Sequence, residues 1–238
     1  MQRYFTKIKK ENTFILDFND LYHITRVMRM KSNDKIEVVY NKVTYLCEVL
    51  IINDDISINI IEKKKEDNEL PIKLTIAVAL LKEQKFDLII QKCTELGVNE
   101  FVPVIMDRSV VKVDNEKEEK KLLRWQKIAK EASRQSKRNI IPIVSKIITL
   151  KDLSKMEYDL KLIASTNENI NSIKKVLKNV TNYDTMIIVM GPEGGITSYE
   201  EEFLEDNGYI KVTLGKRILR AETAPIVGAS IINYEVMD

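Results

Sequence analysis

Residues 186–201 read MIIVMGPEGGITSYEE, and this stretch decides the architecture. The apolar run from Met186 to Met190 has the length and composition of a strand buried on both faces. Gly191-Pro192-Glu193-Gly194-Gly195 then breaks the run, and Ser198 with Glu201 three residues later predicts a capped helix beyond the turn. Strand, glycine turn and helix form the repeating unit of a mostly parallel sheet with helices on its faces. The chain has only seven glycines and three of them fall in this turn, so the backbone there has a reason to lie close to something. Open sheets of this kind bind ligands beyond the carboxyl ends of their strands. The turn is neither GxGxxG nor GxxxxGK[ST], which argues against a Rossmann dinucleotide site and a P-loop.

The same alternation extends in both directions. Upstream come a strand over 72–81 and a helix with Phe86, Ile89, Ile90, Cys93 and Leu96 at helical spacing, capped by Gly97. A strand over 98–106 follows, where Pro103 predicts an edge or an irregular end. A long helix then ends near Lys137, and another strand is expected over 159–166. Downstream, Gly208 closes a helix, 209–214 is a strand, and Pro225 opens a last helix running to about Val236. Residues 1–61 differ: short β-patterned stretches at 35–40, 44–52 and 56–61, separated by polar turns, predict a small barrel. The charged stretch 62–70 ends at Pro71 and separates two domains, 1–68 and 69–238.

Composition narrows the function classes. With 38 Lys+Arg against 36 Asp+Glu, 44% apolar residues and no apolar run of bilayer length, a folded, soluble protein without membrane contact is expected. No positive-then-apolar leader follows Met1, which points to the cytoplasm. Cys47 and Cys93 lie far apart and His23 is the only histidine. No metal, disulfide framework or common catalytic triad is therefore expected.

Two further segments carry chemistry. In Leu214–Thr223, LGKRILRAET, Ile218 and Leu219 sit between Arg217 and Arg220. An apolar pair in a loop makes sense as the lining of a slot for a flat group such as adenine, with a solvated basic turn as the alternative. Between residues 124 and 138 six bases (Arg124, Lys127, Lys130, Arg134, Lys137, Arg138) meet one acid, Glu131, on the face opposite Trp125, Ile128, Ala129 and Ala132. That face is read either as phosphate-binding or as merely solvated. His23, Arg26, Arg29 and Lys31 form a smaller acid-free basic segment.

GPEGG followed by LGKRILRAET, with EQKFDLIIQKCTELGV (83–98) and RWQKIAKEASRQSKR (124–138) upstream and RYF (3–5) and HITRVMRMKSND (23–34) at the start, resembles the RsmE family of 16S ribosomal RNA uracil-N3 methyltransferases in the SPOUT superfamily. The resemblance spans the chain, with Asn33 standing where the family usually has glycine. It implies an α/β fold: a SPOUT-type trefoil-knotted, mostly parallel sheet with helices on both faces, plus a small N-terminal PUA-like β-barrel domain.

The resemblance also implies an S-adenosylmethionine pocket on three loops. These are Ala164, Ser165 and Thr166; the turn Gly191, Pro192, Glu193, Gly194 and Gly195; and Leu214, Gly215, Ile218, Leu219, Arg220, Thr223 and Ala224. The implied reaction moves a methyl group to N3 of a uracil in 16S ribosomal RNA of the small ribosomal subunit. Arg220 is the expected cation, with Glu193 and Glu222 as carboxylates that take the proton or position the base. RNA contacts are expected from Arg3, Arg26, Arg29, Lys31, Arg134, Lys137 and Arg138. A homodimer is expected because the last helix is apolar around much of its circumference. The competing readings are a noncatalytic RNA-binding protein and a SPOUT enzyme acting on another RNA.

Overall fold

Alternation along the central strands sorts their side chains onto two faces. The computed structural model describes residues 1–53, 55–111, 115–180 and 182–237, with side chains of the helix opening at 115 described from 118 onward. Contacts divide the chain into two units: Met1–Glu69 with Ser133–Ile140, and Leu70–Ala132 with Ile141–Asp238. Ser133–Ile140, expected in the second domain, thus belongs to the first unit.

The first unit is built on β1 (Arg3–Phe5), β2 (Ile8–Lys10), β3 (Thr13–Ile15), β4 (Lys35–Tyr40), β5 (Val43–Ile52) and β6 (Asp55–Lys63). Their order is β1-β4-β5-β6-β3-β2, with β1 parallel to β4 and the other pairs antiparallel. Among the described residues no ladder joins β1 to β2, so the expected barrel is an open one. Tyr4, Phe14, Ile24, Ile36, Val38, Cys47, Val49 and Ile58 form its core. A short helix, α1 (Phe18–Tyr22), runs into a π-helical turn, His23–Val27. Asn33 has φ +74°, a left-handed conformation that asparagine tolerates better than most residues.

The second unit contains β7 (Lys73–Ala79), β8 (Glu100–Ile105), β9 (Ile143–Val144), β10 (Ile148–Thr149), β11 (Leu160–Ala164), β12 (Thr185–Met190) and β13 (Ile210–Val212). They form one parallel sheet in the order β10-β8-β7-β12-β11-β13, with β9 also on β8. The helices are α2 (Glu83–Glu95), α3 (Asn115–Gln135), α4 (Leu150–Ser154), α5 (Ile173–Asn179), α6 (Ser198–Asp206) and α7 (Thr223–Val236). Leu74, Ile76, Val78, Met186, Ile188 and Met190 join one apolar cluster. Ala77, Ala79, Ile187 and Val189, one position out of step, join the other. Burial on both faces is worth roughly 1.5–3 kcal/mol per large aliphatic side chain, which is why these strands read as unbroken apolar runs.

Pro103 departs from expectation, because β8 is an inner strand with β7 on one side and β9 and β10 on the other. The short strands pair with Glu100–Phe101 and Val104–Ile105. Pro103, which has no N–H to donate, falls in the gap between them. The capping box also shifts by one residue: Thr197 caps α6 and Glu200 reciprocates. Glu201 is thereby released for another role. At Gly228 a Cβ would lie 2.6 Å from Met190 Cε, so α7 rests against the end of β12. Among the described residues no helix is long and apolar enough to cross a membrane.

Candidate functional site

Three chain segments leave neighbouring parallel strands at their carboxyl ends and line one cleft. Ala164, Ser165 and Thr166 follow β11, Gly191–Ile196 follows β12, and Leu214–Ala224 joins β13 to α7. The cavity that runs from the β11 loop along the glycine turn towards Lys85 measures about 530 Å³, within the range of small-molecule sites, and a smaller hollow of about 120 Å³ lies at the β11 and β13 loops.

Local sequence explains each wall. In the glycine turn Gly195 N–H donates to the Pro192 carbonyl at 2.9 Å, and Gly195 takes φ +75°, where an L side chain is strained. Gly191 lacks room for a side chain, since a Cβ would stand 2.6 Å from Ile196 Cγ1. Gly194 lies beside Arg108, whose Nη1 donates to its carbonyl at 2.8 Å. Across the cleft Ser165 is buried, and its hydroxyl donates to Glu201 Oε1 at 2.6 Å while accepting from Asn167 N–H at 3.0 Å. That hydroxyl is therefore committed to loop structure, and Thr166 is the exposed member of the segment.

The expected carboxylates meet on a cation that sequence reading did not single out. Lys85 Nζ, from the first turn of α2, lies 3.0 Å from Glu193 and 3.1 Å from Glu222. Hydrogen bonds to both carboxylates raise the Lys85 ammonium above its ordinary value. A hydrogen bond from its own backbone N–H, aided by Lys85, holds the Glu222 carboxyl below the usual range. A carboxylate so held is ionised at neutral pH and is a weak proton acceptor. Arg220 is exposed, and its guanidinium makes no hydrogen bond or ion pair with the described residues, while its carbonyl accepts from Thr223 and Ala224 N–H at 2.9 and 3.0 Å. Lys85 lies inside the EQKF motif, whose apolar spacing marks a helix but says nothing of which loops its lysine reaches. Arg108 and Glu201 had no sequence signal, because their roles depend on loops meeting across the sheet.

Ile218 and Leu219 both line the cleft, but only Leu219 is sunk into it: Ile218 is 86% exposed at the rim, and Leu219, Leu214 and Ala224 form the half-buried apolar wall.

The basic residues divide into two sets. Arg3 is 1% exposed and pairs with Glu37 at 3.1 Å and with Glu66. Arg134 pairs with buried Asp20 and Arg138 with Glu69, and both guanidiniums are buried. Lys137 pairs with Glu37 at 2.7 Å, and Arg124 bridges to Glu83 at 3.0 Å and to Asp87. Four of the six bases expected to form an unbalanced face on α3 thus pair with acids from other elements, and Arg3, Arg134 and Arg138 serve the interior of the first unit. Counting acids on the helix alone missed partners 37 to 114 residues away. Arg26, Arg29 and Lys31 are exposed.

Cys47 and Cys93 are buried free thiols, and burial pushes Cys47 up to about 12. Trp125 stacks on Phe86 with ring centres 4.3 Å apart, a core contact. His23 Nδ1 shares a 3.0 Å hydrogen bond with the Tyr4 hydroxyl.

A parallel sheet with a three-loop cleft beyond its strand ends, in a chain that also carries a small β-unit, defines an α/β protein built to hold a small ligand. Residues 68–233 match the RNA methyltransferase domain family and residues 17–62 the RNA methyltransferase PUA domain. The chain is 38% identical to ribosomal RNA small subunit methyltransferase E of Bacillus subtilis, covering 99% of this chain and 97% of that one. It is also 38% identical to the protein of that name from Mesomycoplasma hyopneumoniae, over 95% and 96% of the two chains. The chain belongs to the ribosomal RNA small subunit methyltransferase E family. A structure of this methyltransferase from Neisseria gonorrhoeae, bound to S-adenosyl methionine, superposes with TM-score 0.85 at 30% identity, covering 98% of this chain and 96% of that one. A putative methyltransferase from Legionella pneumophila with the same cofactor bound gives 0.87 at 25% identity over 98% and 96%.

Proposed function

We propose that the chain transfers the methyl group of S-adenosylmethionine to N3 of a uracil in 16S ribosomal RNA. The observation that carries this reading is the cleft walled by the three strand-end loops, in a chain of this family. Its volume of about 530 Å³ along the glycine turn suits a small ligand, its half-buried wall of Leu214, Leu219 and Ala224 suits an adenine ring, and the glycine turn offers backbone groups without side-chain obstruction.

S-adenosylmethionine supplies a methyl group on a positively charged sulfonium. N3 of uracil is an imide nitrogen that gives up its proton to solvent, which spreads negative charge over N3 and the ring oxygens until the new N3–CH3 bond consumes it, while the S–CH3 bond breaks and the sulfonium leaves as the neutral thioether of S-adenosylhomocysteine. Arg220, uncommitted at the rim, is the residue we assign to that charge. Glu193 and Glu222 share one ammonium, so we assign them to holding the turn and the last loop at the separation the ligand requires. Much of the rate then comes from orientation. Arg26, Arg29 and Lys31 are the first-unit cations assigned to RNA phosphates. The cytoplasm, the trefoil knot and a homodimer belong to the same reading.

Mass spectrometry of ribosomal RNA nucleosides from cells with and without the protein tests the proposal, together with calorimetry of S-adenosylmethionine binding. Loss of 3-methyluridine on deletion is expected. An unchanged level would defeat the substrate assignment, and a folded protein that binds no cofactor would favour a noncatalytic RNA-binding role.

A further inference from the structure

The first unit carries an exposed face that the methyl-transfer chemistry leaves unused. Phe18 and Tyr22 lie four residues apart on α1 and therefore share a face; they are 80% and 54% exposed. Buried Asp20 and Ile24 anchor the other side of the segment. The chain then widens into the π-helical turn His23–Val27, whose extra residue re-aims the side chains that follow, a feature frequent at functional sites. Arg26, Val27, Met28 and Arg29 all emerge into solvent.

Charge selects the partner. Residues 21–33 contain Arg26, Arg29 and Lys31 and no acid. The flanking acids Asp17 and Asp34 are engaged locally, accepting from Asp20 N–H at 2.8 Å and from Lys31 N–H at 2.7 Å. Exposed aromatic faces bordered by guanidiniums match single-stranded nucleic acid, in which unstacked bases seek a flat surface and phosphates seek cations. A duplex keeps its bases stacked on one another and offers nothing to the rings.

We propose that Phe18 and Tyr22 form a stacking platform for unpaired RNA bases, with Arg26 and Arg29 holding the adjoining phosphates. This deepens the reading of RNA as substrate and rests on it: the target segment is gripped as a single strand at this face.

Fluorescence anisotropy with labelled oligouridine of roughly 12 nucleotides, a length within ordinary single-strand site sizes, and with a duplex of equal length tests the platform. The doubly substituted Phe18→Ala, Tyr22→Ala protein should bind the single strand about tenfold more weakly per ring removed. Its salt dependence and its affinity for duplex should match the parent. Arg26→Gln with Arg29→Gln should instead lower the slope of log affinity against log salt by about 1.4, the value for two single-strand phosphate contacts. Both aromatic side chains are exposed, so the alanine protein should fold and bind S-adenosylmethionine as the parent does, which calorimetry checks. A Tyr22→Trp protein adds a direct readout, fluorescence quenching on oligouridine binding, because the native Trp125 is buried. Parental affinity for oligouridine in the folded alanine protein overturns the platform and leaves the RNA reading standing. Failure of the parent protein to bind any RNA overturns both. Loss of a dimer with RNA affinity retained reassigns the face to contact between copies.

Discussion

Lys85 ties together two loops that are far apart in sequence, the glycine turn through Glu193 and the last loop through Glu222. Each pair is partly solvated and modest by itself, but one ammonium serving both loops couples their positions. Replacing Lys85 by Met should raise KM for S-adenosylmethionine roughly two- to tenfold with a smaller change in kcat, and Arg should restore most of it, as expected of ion pairs of this strength. An unchanged KM in the Met protein would reduce the contact to surface decoration. Gly194 makes a second prediction. Its backbone conformation is ordinary, since the left-handed residue of the turn is Gly195. A Cβ at Gly194 would lie 3.1 Å from Arg108 Cβ and 3.2 Å from Arg108 Cδ. Gly194→Val must therefore push Arg108 aside and loosen its bond to the turn. Overpacking costs about 1–3 kcal/mol, so cofactor affinity should fall roughly five- to 150-fold while RNA affinity holds. Adding Arg108→Ala should recover part of the loss; calorimetry showing no recovery would place the damage in the turn itself.

At the scale of elements, β4 and the segment after α3 share a buried charge cluster. Glu37 accepts from Arg3 at 3.1 Å, Lys64 at 2.6 Å and Lys137 at 2.7 Å. Burial alone would raise its carboxyl, but the hydrogen bonds from Lys137 and Lys64 and the charge of Arg3 outweigh it and hold it at about 2, from an ordinary value of 4.5. The unfolded chain thus binds the proton more readily. The contribution, on the order of 3 kcal/mol, is complete above pH 4.5 and is lost as pH falls towards 2. Melting temperatures measured between these limits should decline in the parent and less steeply in Glu37→Gln, which starts lower; parallel curves would show that Glu37 does not govern acid unfolding. This cluster also marks the limit of sequence reading. The central strands were legible because a strand buried on both faces has to be apolar, and the glycine turn because few residues tolerate its backbone. Helix α4 was missed although Thr149 caps it, accepting from Asp152 N–H, an available signal on a very short element. The partners of Arg3, Arg134 and Arg138 left no local trace, since an ion pair across the fold has no spacing to read.

At the scale of the whole molecule, α7 tests the expected homodimer. Its sequence is apolar nearly all round, and the chain covers more of it than one sheet face could. Pro225, Gly228, Ala229 and Ile232 are buried, and α2 and α5 flank the helix as well as β12; Asn233 Nδ2 donates to the Leu96 carbonyl at 2.9 Å. Val227, Ser230, Ile231 and Tyr234 remain at spacings of three, four and seven, which place them on one side of the helix. Val227 and Ile231 are half-buried, while Ser230 and Tyr234 are exposed. A twofold partner using this same stripe would cover it, with Ser230 small enough to allow close approach. Since α7 begins where the Arg220 loop ends, such a partner would stand beside the cofactor cleft. Sedimentation at micromolar concentration should give a dimer, and Val227→Arg, which sets like charges against each other across the twofold axis, should give a monomer. If the partner completes the RNA site, that monomer should bind S-adenosylmethionine normally and methylate RNA poorly. A monomeric parent protein with full activity would refute the dimer and any contribution of a second chain to the reaction.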